Sequence, residues 1–425
     1  MAAFISNVLQ MASRRSSKSS TCSHPRLPPR VEVFDPDGDM LLLVGKQVCT
    51  ERSCNSAQNK ASNAICFHVN STIIAGASPA FGFVLYSPSA VNASGNSVEW
   101  TVRLPEDDPQ AMHTIINILY GHFPVTLADE HMHIEQLLNL AILADKYDLV
   151  HHFTEWSAQW VQDMEPYWVG RKFVGKSTED LESLLWIFWV LGHEPLYTYM
   201  ILQIAFHSEL DAAGKLTDPT EQLCFTNEFR EVPVPPYAPI EIGHTRIEVL
   251  KMIRKHIKAT LEEHLHGKRQ SVWLRCRRMD GADDGAWRQS ILVAFVEMLE
   301  AEGIWPLPSA YLLTASPRSL VEIFRVNPSI PAFMHHHDGQ FCEPDGTFWE
   351  RIEKLLREVR FTLPAQSAIH LSEQAVKSGL AGHFKSKGLA IGLDKGHWNV
   401  REILEFQEAV ATSEHAPSAR SQAQS

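Results

Sequence analysis

Membrane spans, disulfide frameworks and nucleic-acid coats each need something this sequence lacks. No stretch reaches the roughly 18 uninterrupted apolar residues that a membrane-crossing helix requires, and the most apolar one, Leu184 to Leu191, is far shorter. The 7 cysteines, Cys22, Cys49, Cys54, Cys66, Cys224, Cys276 and Cys342, are odd in number, scattered and never in a CxxC pair. They predict free thiols in a reducing compartment rather than a disulfide framework or a zinc ribbon. Positive charge is also short. There are 38 Lys and Arg against 50 Asp and Glu, a net charge of -12, so phosphate backbones are repelled unless basic residues gather locally. The motifs GxSxG, GxGxxG and HExxH are absent, and no Ser or Cys has surroundings that mark a nucleophile. These absences predict a soluble cytoplasmic or nuclear protein with no cofactor, no metal and no catalytic residue.

What is present is enough apolar material for more than one core: 425 residues, 44% hydrophobic, with 11 Trp and 20 Phe. Residues 1–30 hold Arg14, Arg15, Lys18, Arg26 and Arg30, many serines and no acid. That composition fits a disordered basic arm better than a mitochondrial address. Val31 to Phe34, the turn-forming run Asp35-Pro36-Asp37-Gly38-Asp39 and the apolar run Met40 to Val44, ending at Gly45, read as a hairpin of two short strands. Residues 46–64 are polar and without period, which predicts an exposed insertion carrying Cys49 and Cys54. Ile65, Phe67 and Val69 alternate as a strand with one buried face.

Two short helices are expected next. One is capped by Ser71 and carries Ile73 and Ile74. The other begins at Ser78-Pro79 and carries Phe81, Val84 and Leu85. Val98, Trp100, Val102 and Leu104 line one face of the clearest strand, which stops at Pro105. Asp108-Pro109 then opens a helix with the stripe Met112, Ile115, Ile116 and Leu119, ended by Gly121. Ile134, Leu137, Leu138 and Ala141 mark another helix; Phe153, Trp156, Trp160 and Val161 mark a third.

This order of elements resembles the BTB/POZ fold, in the branch common in filamentous fungi. The residues that carry the likeness are Phe34 to Gly45, Phe67-His68-Val69, Ser78-Pro79-Ala80-Phe81, Val102 to Met112 and Leu143-Ala144-Asp145-Lys146-Tyr147-Asp148. Within them Asp35, Gly38, Gly45, Phe67, Ser78, Pro79, Leu104, Pro105, Asp108, Pro109, Ala144 and Tyr147 form the signature, each with a local reason as turn, cap or core residue. A fainter likeness continues through Leu185 to Glu194 and Cys276, similar to the helical C-terminal half of the same fungal proteins. The insertion after Gly45, with Gly76 and Gly82, departs from the pattern.

The resemblance implies a surface for homo- or heterodimers and, in some relatives, an adaptor surface for a cullin ubiquitin ligase. Such adaptors carry an apolar residue, any residue and then Glu after the Ser-Pro helix, whereas residues 86–96 contain no Glu. The expected organisation is a disordered tail over 1–30, an α/β (α+β) BTB/POZ domain over 31–165 with a small mixed sheet flanked by helices, a mainly α-helical region over 166–408 and a disordered tail over 409–425. The expected function is self-association as an interaction scaffold or adaptor, through Ile73, Ile74, Phe81, Val84 and Leu85.

Three other patterns are weighed against this reading. Gly170 to Ser177 fits GxxxxGK(S/T), a phosphate-cradling loop whose Lys176 would serve a nucleotide-dependent enzyme. No apolar strand precedes it, as that loop needs, so an ordinary loop is favoured. His335-His336-His337-Asp338 with Cys342 offers zinc-type ligands without the spacing of a closed site. The histidine pairs His131 with His133, His151 with His152 and His264 with His266 are read as surface or capping residues. Basic residues gather from Arg246 to Arg278, as a transcription or chromatin regulator would need. With Ile247, Leu250, Ile253, Ile257 and Leu261 at helical spacing, an amphipathic helix with a solvated basic face is the simpler account, so nucleic acid is not expected as a partner.

Overall fold

The computed structural model describes residues 29–46, 64–86, 100–122, 132–164, 178–217, 232–265, 284–310, 313–326, 336–337, 340–341, 360–386 and 398–399. The two predicted tails, the interior of the 46–64 insertion and the loop 170–177 lie outside these residues. The chain is mixed α/β and mostly helical, with one small mixed sheet. It forms two compact units: Met1–Phe173 with Gln374–Leu380, and Val174–Glu373 with Ala381–Ser425. The sequence placed the break at 165/166 and assigned 166–408, including Gln374–Leu380, to the second region. No periodicity signals that Gln374–Leu380 goes with the first unit.

In the first unit four strands, β1 (Arg30–Val33), β2 (Met40–Val44), β3 (Ile65–Val69) and β4 (Trp100–Leu104), make a sheet in the order β1-β3-β2-β4. β3 runs parallel to β1 and antiparallel to β2, while β2 runs parallel to β4, with Leu42 opposite both Phe67 and Val102. The predicted hairpin is therefore corrected: β1 and β2 do not pair. β3 is buried at four of its five positions, Cys66 included, so it takes an interior slot between them. The turn is pinned to β3. Phe34 N and Asp35 N both donate to His68 O, Gly38 N donates to Asp35 O, and His68 Nε2 lies 2.8 Å from Gly38 O.

That close approach explains the glycine. A Cβ on Gly38 would sit 2.7 Å from Val69 O and 2.9 Å from Asp35 O, both backbone atoms that cannot swing aside. Gly38→Ala is expected to destabilise the unit by about 1–3 kcal/mol, read as a lowered Tm in thermal denaturation. Ala tolerated there without a shift would show that the turn can relax away from β3.

Helices cover the sheet: α1 (Ser71–Ala77), α2 (Pro79–Leu85), α3 (Pro109–Leu119) and α4 (Ile134–Lys146). Asp108 caps α3 by accepting Ala111 N at 2.8 Å, and α3 ends at Gly121, whose φ of +68 is the left-handed stop glycine provides. Two expectations shift. The N-cap of α1 is Asn70, which accepts Thr72 N, and Ser71 is already helical. The third predicted helix is broken into a 3-10 turn, Val150–Phe153, and α5, Ser157–Asp163.

The second unit is built from α6 (Thr178–Leu191), α7 (Glu194–His207), α8 (Ala238–Leu265), α9 (Asp284–Ala301), α10 (Pro317–Val326), the first part of α11 (Ala365–Lys377) and most of α12 (Leu380–Ser386). Every residue from Leu181 to Leu191 is buried, as expected of a helix apolar on all sides. Leu250, Ile253, Ile257 and Leu261 of α8 pack with Phe295, Leu299, Leu320 and Val321, joining three helices around one core. The strand pairs Glu209–Leu210 with Leu216–Thr217, His336–His337 with Gln340–Phe341, and Arg360–Phe361 with Trp398–Asn399 are short.

Candidate functional site

The site is the α1–α2 helix pair with the groups that fix it. Asp39, at the entrance of β2, accepts Ser71 N and Ser71 Oγ, each at 2.7 Å. The Ser71 N–H first, and its hydroxyl second, hold the Asp39 carboxyl below the usual carboxylate range, so it anchors α1 as an anion. Ser78 closes α2. Its hydroxyl oxygen accepts Phe81 N at 3.0 Å and its hydrogen goes to Tyr147 O, while Pro79 occupies the first helical turn. Tyr147 lies at the C-cap of α4, its ring 4.3 Å from that of Phe81. Its hydroxyl donates to Asp107, which Lys146 also meets. Burial above all, then the Asp107 charge, pushes the Tyr147 phenol well above its ordinary value, so it stays a donor.

Of the signature residues, Ser78, Pro79 and Tyr147 meet here, and others hold the sheet. Gly45, at φ +90, donates its N–H to Leu104 O; Leu104, Pro109, Ala144 and Tyr147 are buried, while Pro105 turns outward. Their polar groups close caps and turns, which is structural work.

The apolar residues assigned to a partner surface divide differently from expectation. Ile74, Phe81 and Leu85 are buried in the unit's own core and Val84 is half-buried; of the five, only Ile73 is exposed, at 39%. This corrects the partner assignment of Ile74, Phe81 and Leu85. Phe81 and Leu85 are four apart, so both face inward from a helix whose start is tied to Tyr147. The outward positions are Phe83, 60% exposed, and Tyr86, 55% exposed, with the Tyr86 ring 5.3 Å from that of Trp100. The sequence reading passed over both. Their spacing of three, out of step with Phe81 and Leu85, was the available signal.

The other constellations weighed from the sequence fall largely outside the described residues. Gly170 to Ser177, Lys176 among them, lies outside the described residues, as do His335, Asp338, Cys342, Cys49 and Cys54. His336 and His337 form a strand paired with Gln340–Phe341, and no group of three or more His, Cys, Asp or Glu that could hold a metal occurs among the described residues. His152 Nε2 lies 3.0 Å from Ala77 O, His133 is the N-cap of α4, and His131 and His266 are outside the described residues.

On α8 the solvated basic face is present in Lys251 and Lys258, paired with Glu248 and Glu262. Arg246 corrects it: that side chain is buried and donates to four backbone carbonyls, Ser208 O, Leu313 O, Thr314 O and Ala315 O. Residues 266–278 of the basic run are outside the described residues.

The second unit also buries a carboxylate that composition did not reveal. Glu241 accepts Tyr197 OH at 2.7 Å and the Ser367 hydroxyl, joining α7, α8 and α11. Burial raises the Glu241 carboxyl, and the two hydrogen bonds oppose it. Both oxygens are engaged, so the cluster reads as a structural knot.

No family model, curated protein or solved structure matches this chain. No helix among the described residues is long and apolar enough to cross a membrane.

Proposed function

We propose that the chain is a protein-interaction scaffold whose first unit is a BTB/POZ-type domain and which self-associates through the outer face of the α1–α2 pair. The observation that carries this is the exposure of Ile73 and Phe83 on two adjacent short helices, and of Tyr86 at the C-cap of the second, while Ile74, Phe81 and Leu85 are buried. Large aromatic residues left in water over a rigid base are the usual anchors of a protein interface. The base is rigid here because Asp39, Ser78 and Tyr147 fix both helices. The sheet order and the Ser78–Tyr147 closure support the BTB/POZ reading. A second copy is the occupant proposed, since paired identical patches are the commonest way for a soluble chain to bury such a face.

Light scattering on the full chain tests it. The native protein should elute with twice the chain mass, and Phe83→Asp with Tyr86→Asp should return it to the monomer with an unchanged Tm. A monomeric native protein, or a dimer indifferent to both substitutions, would remove the self-association reading.

A further inference from the structure

His193 is the N-cap of α7 in the second unit, and the cap bond its side chain makes needs a neutral ring. Its Nδ1 accepts Leu196 N at 3.3 Å, a role that a protonated nitrogen cannot fill. The same ring stands at the positive end of the α7 dipole, which disfavours a cation further. Phe384 of α12 meets it edge-on at 4.9 Å and Phe188 of α6 lies at 5.8 Å, so the ring is enclosed by aromatic carbon from two other helices and is 1% exposed. The backbone N–H of His193 donates to Phe188 O, which ties the end of α6 to the start of α7.

We propose that His193 is a built-in proton switch: closed while its ring is neutral, the α6–α7–α12 corner opens in mild acid when the ring takes up a proton and can no longer cap α7. The charge that acts on it is that of His383 on α12, a second potential cation, and the next residue along the chain, Glu194, has its side chain buried. Burial first, and His383 further, push the His193 imidazole down to about 3, while its own backbone opposes this. The sign follows from that depression. An opened corner returns the ring to its ordinary value of about 6.5, so the opened form binds more protons and gains population as pH falls through 6.5. Between pH 7.5 and pH 5.0 the ratio of open to closed forms should rise about thirtyfold.

Hydrogen–deuterium exchange on the full chain, with rates corrected for the intrinsic pH dependence of exchange, reads this directly. Amides of residues 193–200 and 381–386 should lose about thirtyfold in protection between pH 7.5 and pH 5.0, with α4 of the first unit unchanged. His193→Asn and His193→Ser keep an N-cap acceptor without a titrating ring, and each should flatten the pH dependence while keeping most of the protection seen at pH 7.5. Equal protection of the native chain at both pH values overturns the proposal. So does a loss that persists in whichever variant folds, or one spread evenly over both units.

Discussion

Phe81→Ala is expected to destabilise the first unit by about 3–5 kcal/mol, and Phe83→Ala, two residues along the same helix, by no more than about 0.5 kcal/mol. The two side chains share a type and a helix, and differ in what surrounds them. Phe81 is fully buried, stacks on Tyr147 with ring centroids 4.3 Å apart, and has its N–H held by the Ser78 hydroxyl that also reaches Tyr147 O. Truncating it removes the stack, opens a cavity under α2 and loosens the Tyr147 ring whose hydroxyl is bonded to Asp107. Phe83 has water over most of its ring, so its loss forfeits little within one chain. Differential scanning calorimetry should show a fall in Tm of about 10 °C or more for Phe81→Ala and little change for Phe83→Ala. Similar shifts for the two variants would mean that α2 is not seated on Tyr147 as described. The same pair tests the interaction reading from the other side, since on that proposal Phe83 should govern association while Phe81 governs folding.

That contrast also shows where sequence reasoning stops. Caps and breaks were legible because their physics is local: Ser78-Pro79, Asp108-Pro109, Gly45 and Gly121 each set a boundary through their own hydrogen-bonding or backbone chemistry. Strand positions were legible for the same reason. Strand partners were not, because nothing within Val31 to Val44 says that β3 will enter between its two halves; that depends on burying Cys66 and Phe67 on opposite faces. The outward face of α2 was within reach. Phe81 and Leu85 are one turn apart, and the Ser78 cap fixes which turn begins the helix. Reading Phe81, Val84 and Leu85 as one exposed stripe ignored that a short helix over a sheet must first bury its own best apolar pair. The bonding roles of Asp39, Asp107 and Glu241 could not be read from sequence. Their partners Ser71, Tyr147 and Ser367 lie 32, 40 and 126 residues away along the chain.

Arg246→Met is expected to destabilise the second unit by about 3–5 kcal/mol, a larger effect than any other basic residue of α8 should give. Arg246 stands four residues before Leu250 and seven before Ile253, on the buried stripe rather than the solvated face. Its guanidinium gathers the carbonyls of Ser208, Leu313, Thr314 and Ala315 at 2.8 to 3.1 Å, closing the end of α7 and the chain ahead of α10 onto α8. Burial pulls the group below its ordinary value, with the Glu209 charge in opposition, yet an arginine stays protonated. The positive charge is thus compensated by carbonyl dipoles, and Met would fill the volume while leaving those acceptors without a donor.

Arg246→Lys should recover only part of the loss. An ammonium has three donors and no planar fork, so it cannot serve Ser208 O and the three successive carbonyls together, and a residual destabilisation of about 1.5–3 kcal/mol remains. Lys251→Met, on the exposed face and paired with Glu248, should change stability by less than about 0.5 kcal/mol. Thermal denaturation of the three variants should therefore rank Arg246→Met below Arg246→Lys, with Lys251→Met beside the native chain. Equal behaviour of Arg246→Met and Lys251→Met would mean that water reaches the four carbonyls. In that case the basic run of α8 would be a solvated face after all.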